Sequence, residues 1–387
     1  MSVSHRWPVH PAPLPGEALS SWLWRIADRY DADLGVLTSD MGHALAEPEE
    51  LDTCPPVGFA RKLASRTGVD VNRIRRMSLS GWAPWLLDQM EPGPDAFTTY
   101  TRQLSVLLPA GRRRPREAPG WRAWLPAKQT LRACPRCVAT TKQPHPYQLM
   151  WSLPLMLSCP FHGCLLEPHT DVPGYYLGWE YAPPQPRPAA APVVAMDRRT
   201  WDAMTTGSVQ LPRRQVHAGI WFRLIRTIID ELATTASECG APGRLIRHIW
   251  EAIGYPDRAG QSFWRTHESS PLSVQLRTLE AAATAIDLLE SKTLTGRGLN
   301  AMLFLPMPSA PVYDGDAPDR NSIAYLWARA CSAFDEAVVE ARGDPDTAKA
   351  VFDMMLYGRK SATAIQGVLS DLQDLGVPLH YLSHKEQ

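Results

Sequence analysis

Cysteines at 134, 137, 159 and 164 and a histidine at 162 crowd into one short stretch of a 387-residue chain that holds seven cysteines in all. Cys134 and Cys137 form a C-x2-C knuckle, and Cys159 and His162 form a C-x2-H knuckle 21 residues further on. Two ligands separated by two residues can face one ion from a single tight turn, and two such turns complete a tetrahedron for which thiolate and imidazole donors suit zinc. Pro135 and Pro160 each follow the first cysteine of a knuckle and fix φ there. The expected ligands are Cys134, Cys137, Cys159 and His162; spacing favours His162 as the fourth, with Cys164, His145 and His169 nearby as alternatives.

A catalytic zinc keeps an open coordination position and a carboxylate near the bound water. Here four ligands are at hand and no Asp or Glu occurs from 134 to 166. One closed, structural zinc ion is therefore expected, whose loss would unfold a small lobe packed by Trp151, Leu153 and Leu157. The chain also lacks H-E-x-x-H, P-loop and G-x-S-x-G patterns, which argues against a zinc hydrolase or nuclease and leaves no catalytic residue to assign. Cys54, Cys239 and Cys331 stand alone and read as buried small hydrophobes. An odd cysteine number in a long chain fits a reducing, cytoplasmic setting better than a disulfide framework.

Formal net charge is zero, but residues 55–145 carry 16 Lys/Arg against 5 Asp/Glu, while 31–54 hold seven acids and no Lys or Arg. One segment therefore faces anions within a neutral protein. Inside it, GFARKLASRTGVDVNRIRRMSLSGW (58–82) reads as two short helices around a turn at Gly68, with Asp70 as N-cap and Val71, Ile74 and Met77 repeating inward. That helix-turn-helix pattern leaves Asn72, Arg73, Arg75 and Arg76 outward, types able to reach base edges or phosphates. The alternative is a solvated helix of an ordinary helical core. Arg112, Arg113 and Arg114 in GRRRPRE read either as an exposed linker or as a phosphate-tracking arm.

The elements that must position these residues are mainly helical. PGEALSSWLWRIADRY (15–30) has helical apolar spacing at Leu19, Leu23, Ile26 and Ala27. Stripes at Val216, Ile220, Leu224, Ile228 and Leu232, and at Leu272, Leu276, Leu279, Ala283, Ile286 and Leu289, predict further core helices. A last helical pair is expected at about 320–341 and 345–374, around the turn GDPD. The predicted organisation is an N-terminal helical, helix-turn-helix domain (1–110), a zinc-ribbon lobe (111–180), a proline-rich linker (181–214) and a C-terminal helical domain (215–387). No run of eighteen apolar residues occurs, and no association with a membrane is expected.

The ordered set PGEALSSWLWRIA, LASRTGVDVNRIRRMSL, CPRC, W-S-L-P and CPFHGCLL resembles the TniQ family of transposition proteins, which includes TnsD-like target selectors, over roughly residues 7–168. One departure is Ala18, where the family often places Ser after the Glu. The resemblance implies a non-catalytic targeting subunit that connects target DNA or a CRISPR RNA-guided effector complex to an AAA+ ATPase of the TnsC or TniB type, which recruits the transposase. It further implies zinc ligation by Cys134, Cys137, Cys159 and His162, a helix-turn-helix at about 58–80 that serves DNA or protein contacts, and dimerisation in some relatives. A stand-alone zinc-containing DNA-binding regulator would use the same basic face without transposition machinery.

Overall fold

The computed structural model describes residues 6–43, 48–87, 89–91, 93, 95–111, 117–126, 131–172, 175–178, 184–259, 265–306, 323–357 and 361–382. Two compact units divide the chain, Met1–Met307 and Pro308–Gln387.

In the first unit a proline-rich arm is kept extended until the chain becomes helical at α1 (Leu19–Arg29). The arm is pinned by Trp7 N donating to Arg66 O (2.8 Å), by Val9 N donating to the Tyr30 hydroxyl (2.8 Å) and by Trp22 Nε1 donating to Pro11 O (2.8 Å). α1 buries Leu19, Leu23, Ile26 and Ala27 as their spacing predicts, and also Trp22. Around it lie α2 (Leu34–Asp40), α3 (Pro48–Thr53), α4 (Phe59–Thr67) and α5 (Val71–Arg75), closing a small core through Leu37, Leu51, Phe59, Leu63, Ile74 and Met77. The acidic stretch serves this core. Asp52 takes the Ser20 backbone N–H at 2.8 Å and hydroxyl at 2.6 Å, and Asp40 pairs with Arg66 at 3.1 Å.

A second, larger core runs through the rest of the unit. Its elements are α6 (Ala96–Arg102), β1 (Arg132–Ala133), α7 (Pro135–Thr140), β2 (Glu167–Pro168), β3 (Thr170–Val172), β4 (Tyr175–Gly178), α8 (Ala191–Thr206), β5 (Ser208–Gln210), β6 (Gln215–His217), α9 (Ala218–Leu232), α10 (Ala236–Cys239), α11 (Gly243–Ala252) and α12 (Leu272–Glu290). The strands form three short antiparallel ribbons, β1–β2, β3–β4 and β5–β6. Leu153 and Leu157 from the expected zinc lobe share this core with Met196 of α8, Trp221 and Ile225 of α9, and Leu279 and Ile286 of α12.

Residues 181–214 are not simply a linker. Helix α8 and strand β5 occupy 191–206 and 208–210 within them. Prolines dominate only as far as Pro192, which sits in the first turn of α8, where a missing N–H costs nothing. Beyond it Val193, Met196, Thr200, Ala203 and Met204 repeat at helical spacing and are buried.

Helix α9 is buried on nearly every side, so its polar groups need internal partners. Glu231 accepts the N–H groups of Val106 (3.0 Å) and Leu107 (2.7 Å). Arg226 pairs with Glu268 at 2.9 Å, and that carboxylate also takes Trp121 Nε1 at 2.8 Å and Trp124 N at 3.1 Å. Burial alone would raise the Glu268 carboxyl, but the Arg226 charge and these donors hold it below the usual range. The Arg226 guanidinium also lies over Phe97 (5.3 Å to the ring centre) and Trp121 (5.6 Å). Replacing one partner of such a pair typically costs several kcal/mol, about 3–5, because it strands a buried charge.

In the second unit, α13 (Ile323–Ala341), α14 (Pro345–Met355) and α15 (Ala362–Asp374) pack Val338, Ala341, Val351, Val368 and Leu372 together. Asp344 of the GDPD turn caps α14, accepting Thr347 N at 2.8 Å. The single helix expected at 345–374 is two. The chain leaves α14 at Leu356, and Ser361 caps α15 by accepting Ala364 N at 3.2 Å. Of the three lone cysteines only Cys239 is buried. Cys54 and Cys331 are exposed, the first just past the end of α3 and the second on an outward face of α13.

His267, beside Glu268, donates from Nε2 to Pro154 O at 2.9 Å, and burial pushes its pKa down to about 4. The imidazole is thus neutral when folded and takes up a proton near pH 6.5 when unfolded. Its contribution is present above about pH 6.5 and is lost as pH falls through 4, a change of about 3 kcal/mol. Urea unfolding between pH 7 and pH 4 should show His267→Gln, less stable at pH 7, converging on the wild type in acid; parallel curves would contradict this.

Candidate metal centre and nucleic-acid face

The register of β1 on β2, Ala133 opposite Glu167, brings the two knuckles together. Cys134 is the N-cap of α7 and accepts Cys137 N at 3.4 Å, with Pro135 in the first turn. In the second knuckle Cys159 N donates to Cys164 O (2.8 Å) and Gly163 N to Cys159 O (2.9 Å), with Gly163 at φ +58°, a conformation glycine adopts without strain.

The ligand atoms of Cys134, Cys137, Cys159 and His162 all lie within 4.8 Å of one another. Cys137 Sγ is 3.7 Å from Cys159 Sγ, and His162 Nδ1 is 3.5, 3.3 and 3.6 Å from the sulfurs of Cys134, Cys137 and Cys159. Bond lengths of about 2.3 Å to sulfur and about 2.0 Å to nitrogen give a tetrahedron with S···S edges of about 3.8 Å and S···N edges of about 3.6 Å. The cluster could therefore hold one metal ion among four protein donors, at spacings that zinc would fit. Hydrogen bonds from the Cys134 and Cys137 thiols lower the Cys159 thiol, while hydrogen bonds with Cys137 and Cys159 raise Cys134.

Among the alternative ligands, Cys164 Sγ sits 3.5 Å from Cys134 Sγ but outside the four-atom group. His145 is turned to Thr141, with Nδ1 at 3.0 Å from the hydroxyl. His169 stacks edge-on against Tyr147, outside the group.

Two residues that sequence reasoning missed hold the knuckles. Asp197 of α8, fully buried, accepts Ser158 N and Ser158 Oγ at 2.6 Å each and Leu157 N at 3.2 Å, fixing the approach to Cys159. Buried Arg132 donates to Met156 O (2.8 Å) and Leu153 O (2.6 Å). No local spacing marks either. The one available signal is a charged residue inside an apolar stripe, as at Asp197. The carboxylates bordering the cluster are engaged structurally: Glu167 takes Arg187 Nε at 2.7 Å, and Asp197 takes the donors just named.

The helix pair forms as its caps predict. Gly68 ends α4 at φ +74°, and Asp70 starts α5 by accepting Asn72 N and Arg73 N at 3.0 Å each. Behind α5, Gly81 packs so close that a Cβ there would lie 1.9 Å from Arg75 O, so only glycine allows this approach. Asn72, Arg73, Arg75 and Arg76 are all exposed. Arg73 has a second task, donating to Pro13 O of the arm. Asn72, Arg75 and Arg76 line an open concavity of 660 Å³, and a neighbouring one of 260 Å³ is lined by Arg75 and Arg61. Arg61 was not singled out from sequence. Its neighbours Lys62, which donates to Met41 O at 2.8 Å, and Arg66, paired with Asp40, are held by the acidic segment. Arg112, Arg113 and Arg114 lie outside the described residues.

Zinc analysis of the purified protein should give one ion per chain, and Cys159→Ser should lose it with a lower melting temperature. A metal-free variant with unchanged melting would show that the cluster bears no load.

No described helix is long and apolar enough to cross a membrane. No curated protein and no solved structure matches the chain. The TniQ family model matches residues 8–166, a span that starts in the pinned arm, contains the helix pair and ends just past the second metal knuckle. Over this span, which is less than half of the chain, the protein is similar to the TniQ family.

Proposed function

We propose that the protein is a non-catalytic target-selection adaptor of a DNA transposition system, joining its target to an AAA+ ATPase of the TnsC or TniB type and through it to the transposase. The observation that carries this reading is the TniQ match over residues 8–166, which encloses both the helix pair and the metal cluster. The ion is a structural zinc held by Cys134, Cys137, Cys159 and His162. Asn72, Arg75, Arg76 and Arg61 form the DNA-contacting face, supported by their exposure along the two concavities. Arg73 is chiefly a tether for the arm, and Arg112, Arg113 and Arg114 extend the phosphate contacts. The exposed basic face favours direct contact with DNA over recruitment solely through an RNA-guided complex.

Arg75→Ala combined with Arg76→Ala should weaken DNA binding about tenfold or more and reduce the slope of log affinity against log salt by about 2, since each phosphate contact contributes about 0.9. Co-purification with an AAA+ ATPase of the TnsC or TniB type should succeed with the wild type. DNA binding without any ATPase association would transfer the protein to the stand-alone regulators.

A further inference from the structure

Beside the cysteine–histidine cluster the first unit has an apolar cavity of 110 Å³. Its walls are Leu14 of the arm, Trp151 and Met156, Cys159 and Phe161 of the second knuckle, and Trp201 of α8. Two of these are conspicuous on a folded surface: Phe161 is 63% exposed and Leu14 is 40% exposed. Phe161 stands edge-on to Trp201, ring centres 4.8 Å apart, so the exposed ring is held in place instead of collapsing into the cavity.

The cavity does not stand alone. Thr141 and Pro146 line both it and an adjoining concavity of 230 Å³, whose walls include Arg25, Arg29 and Lys142 against one acid, Asp28. Arg25 is already paired with buried Glu17 at 2.7 Å, whereas Arg29 and Lys142 are exposed. The two concavities make one groove, apolar at the knuckle end and basic at the α1 end. Its wall is rigid. Glu17 Oε2 accepts Leu14 N at 2.8 Å, Leu149 N donates to Gly16 O at 3.0 Å, and Ala18 N to Tyr147 O at 2.9 Å. At Gly16 a Cβ would lie 2.8 Å from the Trp201 ring, so the arm seats directly on the tryptophan.

We propose that this groove docks an extended, acidic segment of a partner protein, with one medium apolar side chain buried between Trp151, Phe161 and Trp201 and carboxylates directed at Arg29 and Lys142. A preformed aromatic pocket supplies the anchor, and the basic end supplies register and polarity. Nucleic acid is disfavoured as occupant because the deepest part offers apolar walls and no cation. The inference is independent of which transposition partner the protein serves.

The test uses the full chain and three labelled peptides in fluorescence anisotropy: Glu-Glu-Gly-Leu-Gly-Glu-Glu, the same with Ala for Leu, and the same with Lys for every Glu. The first should bind, and each of the others should bind at least tenfold more weakly. Phe161→Ala should remove the preference for Leu over Ala, while Arg29→Glu with Lys142→Glu should remove the preference for acid, with melting unchanged. These last two residues lie on the surface, so the charge arm stands even if Phe161→Ala fails to fold. Equal binding of the three peptides, or variants that bind like the wild type, would overturn the proposal. So would displacement of DNA by the acidic peptide together with loss of DNA binding in the Arg29, Lys142 variant, which would make the groove a phosphate surface.

Discussion

Asp197 carries more of this structure than its single charge suggests. Its carboxylate, buried in α8, accepts three donors from Leu157 and Ser158, immediately before Cys159. Without it the second metal knuckle would leave three donors of an otherwise apolar core unmatched, each costing about 1–3 kcal/mol. Because α8 also packs against α9 and α12, the carboxylate makes the knuckles and the helices one object. The metal cluster is thus less a separate stapled lobe than the corner of a large core, braced on its other flank by Arg132 and by the Glu167–Arg187 pair.

That union also explains how the two candidate surfaces acquire their shapes. The helix pair is positioned from below, through Ile74 and Met77, and from the arm, through Arg73 and Pro13. The groove beside the knuckles uses the arm immediately after Pro13, between Leu14 and Ala18. One extended segment therefore edges both a basic face and an apolar cleft. Two acids of the acidic stretch have defined partners: buried Asp52 holds Ser20, and exposed Asp40 pairs with Arg66.

What the sequence made legible was whatever repeats locally. Knuckle spacing picked out the four side chains that the fold brings together, and apolar periodicity located α1, α9 and α12. The cap at Asp70 was readable because it uses a short polar side chain, whereas at GDPD the sequence marked only the turn that Asp344 caps. Pairings between distant positions left no such trace: Arg226 and Glu268 lie 42 residues apart, and Asp197 meets Ser158 across 39. Composition misled at 181–214, where a few prolines at the front concealed an amphipathic helix behind them. It misled again at Cys54 and Cys331, whose burial depends on which side of a helix end or face they occupy.

The position of α8 has a consequence for how such chains can be rearranged. The span shared with the TniQ family stops at residue 166, whereas the core that includes its metal cluster continues through α12. The matched span and the core that encloses its cysteine cluster are therefore different lengths. A graft cut at 166 would carry the knuckles but leave behind Asp197, Trp201 and the apolar face they lean on, so exchange of C-terminal halves between relatives requires a replacement for α8 as well as a new end.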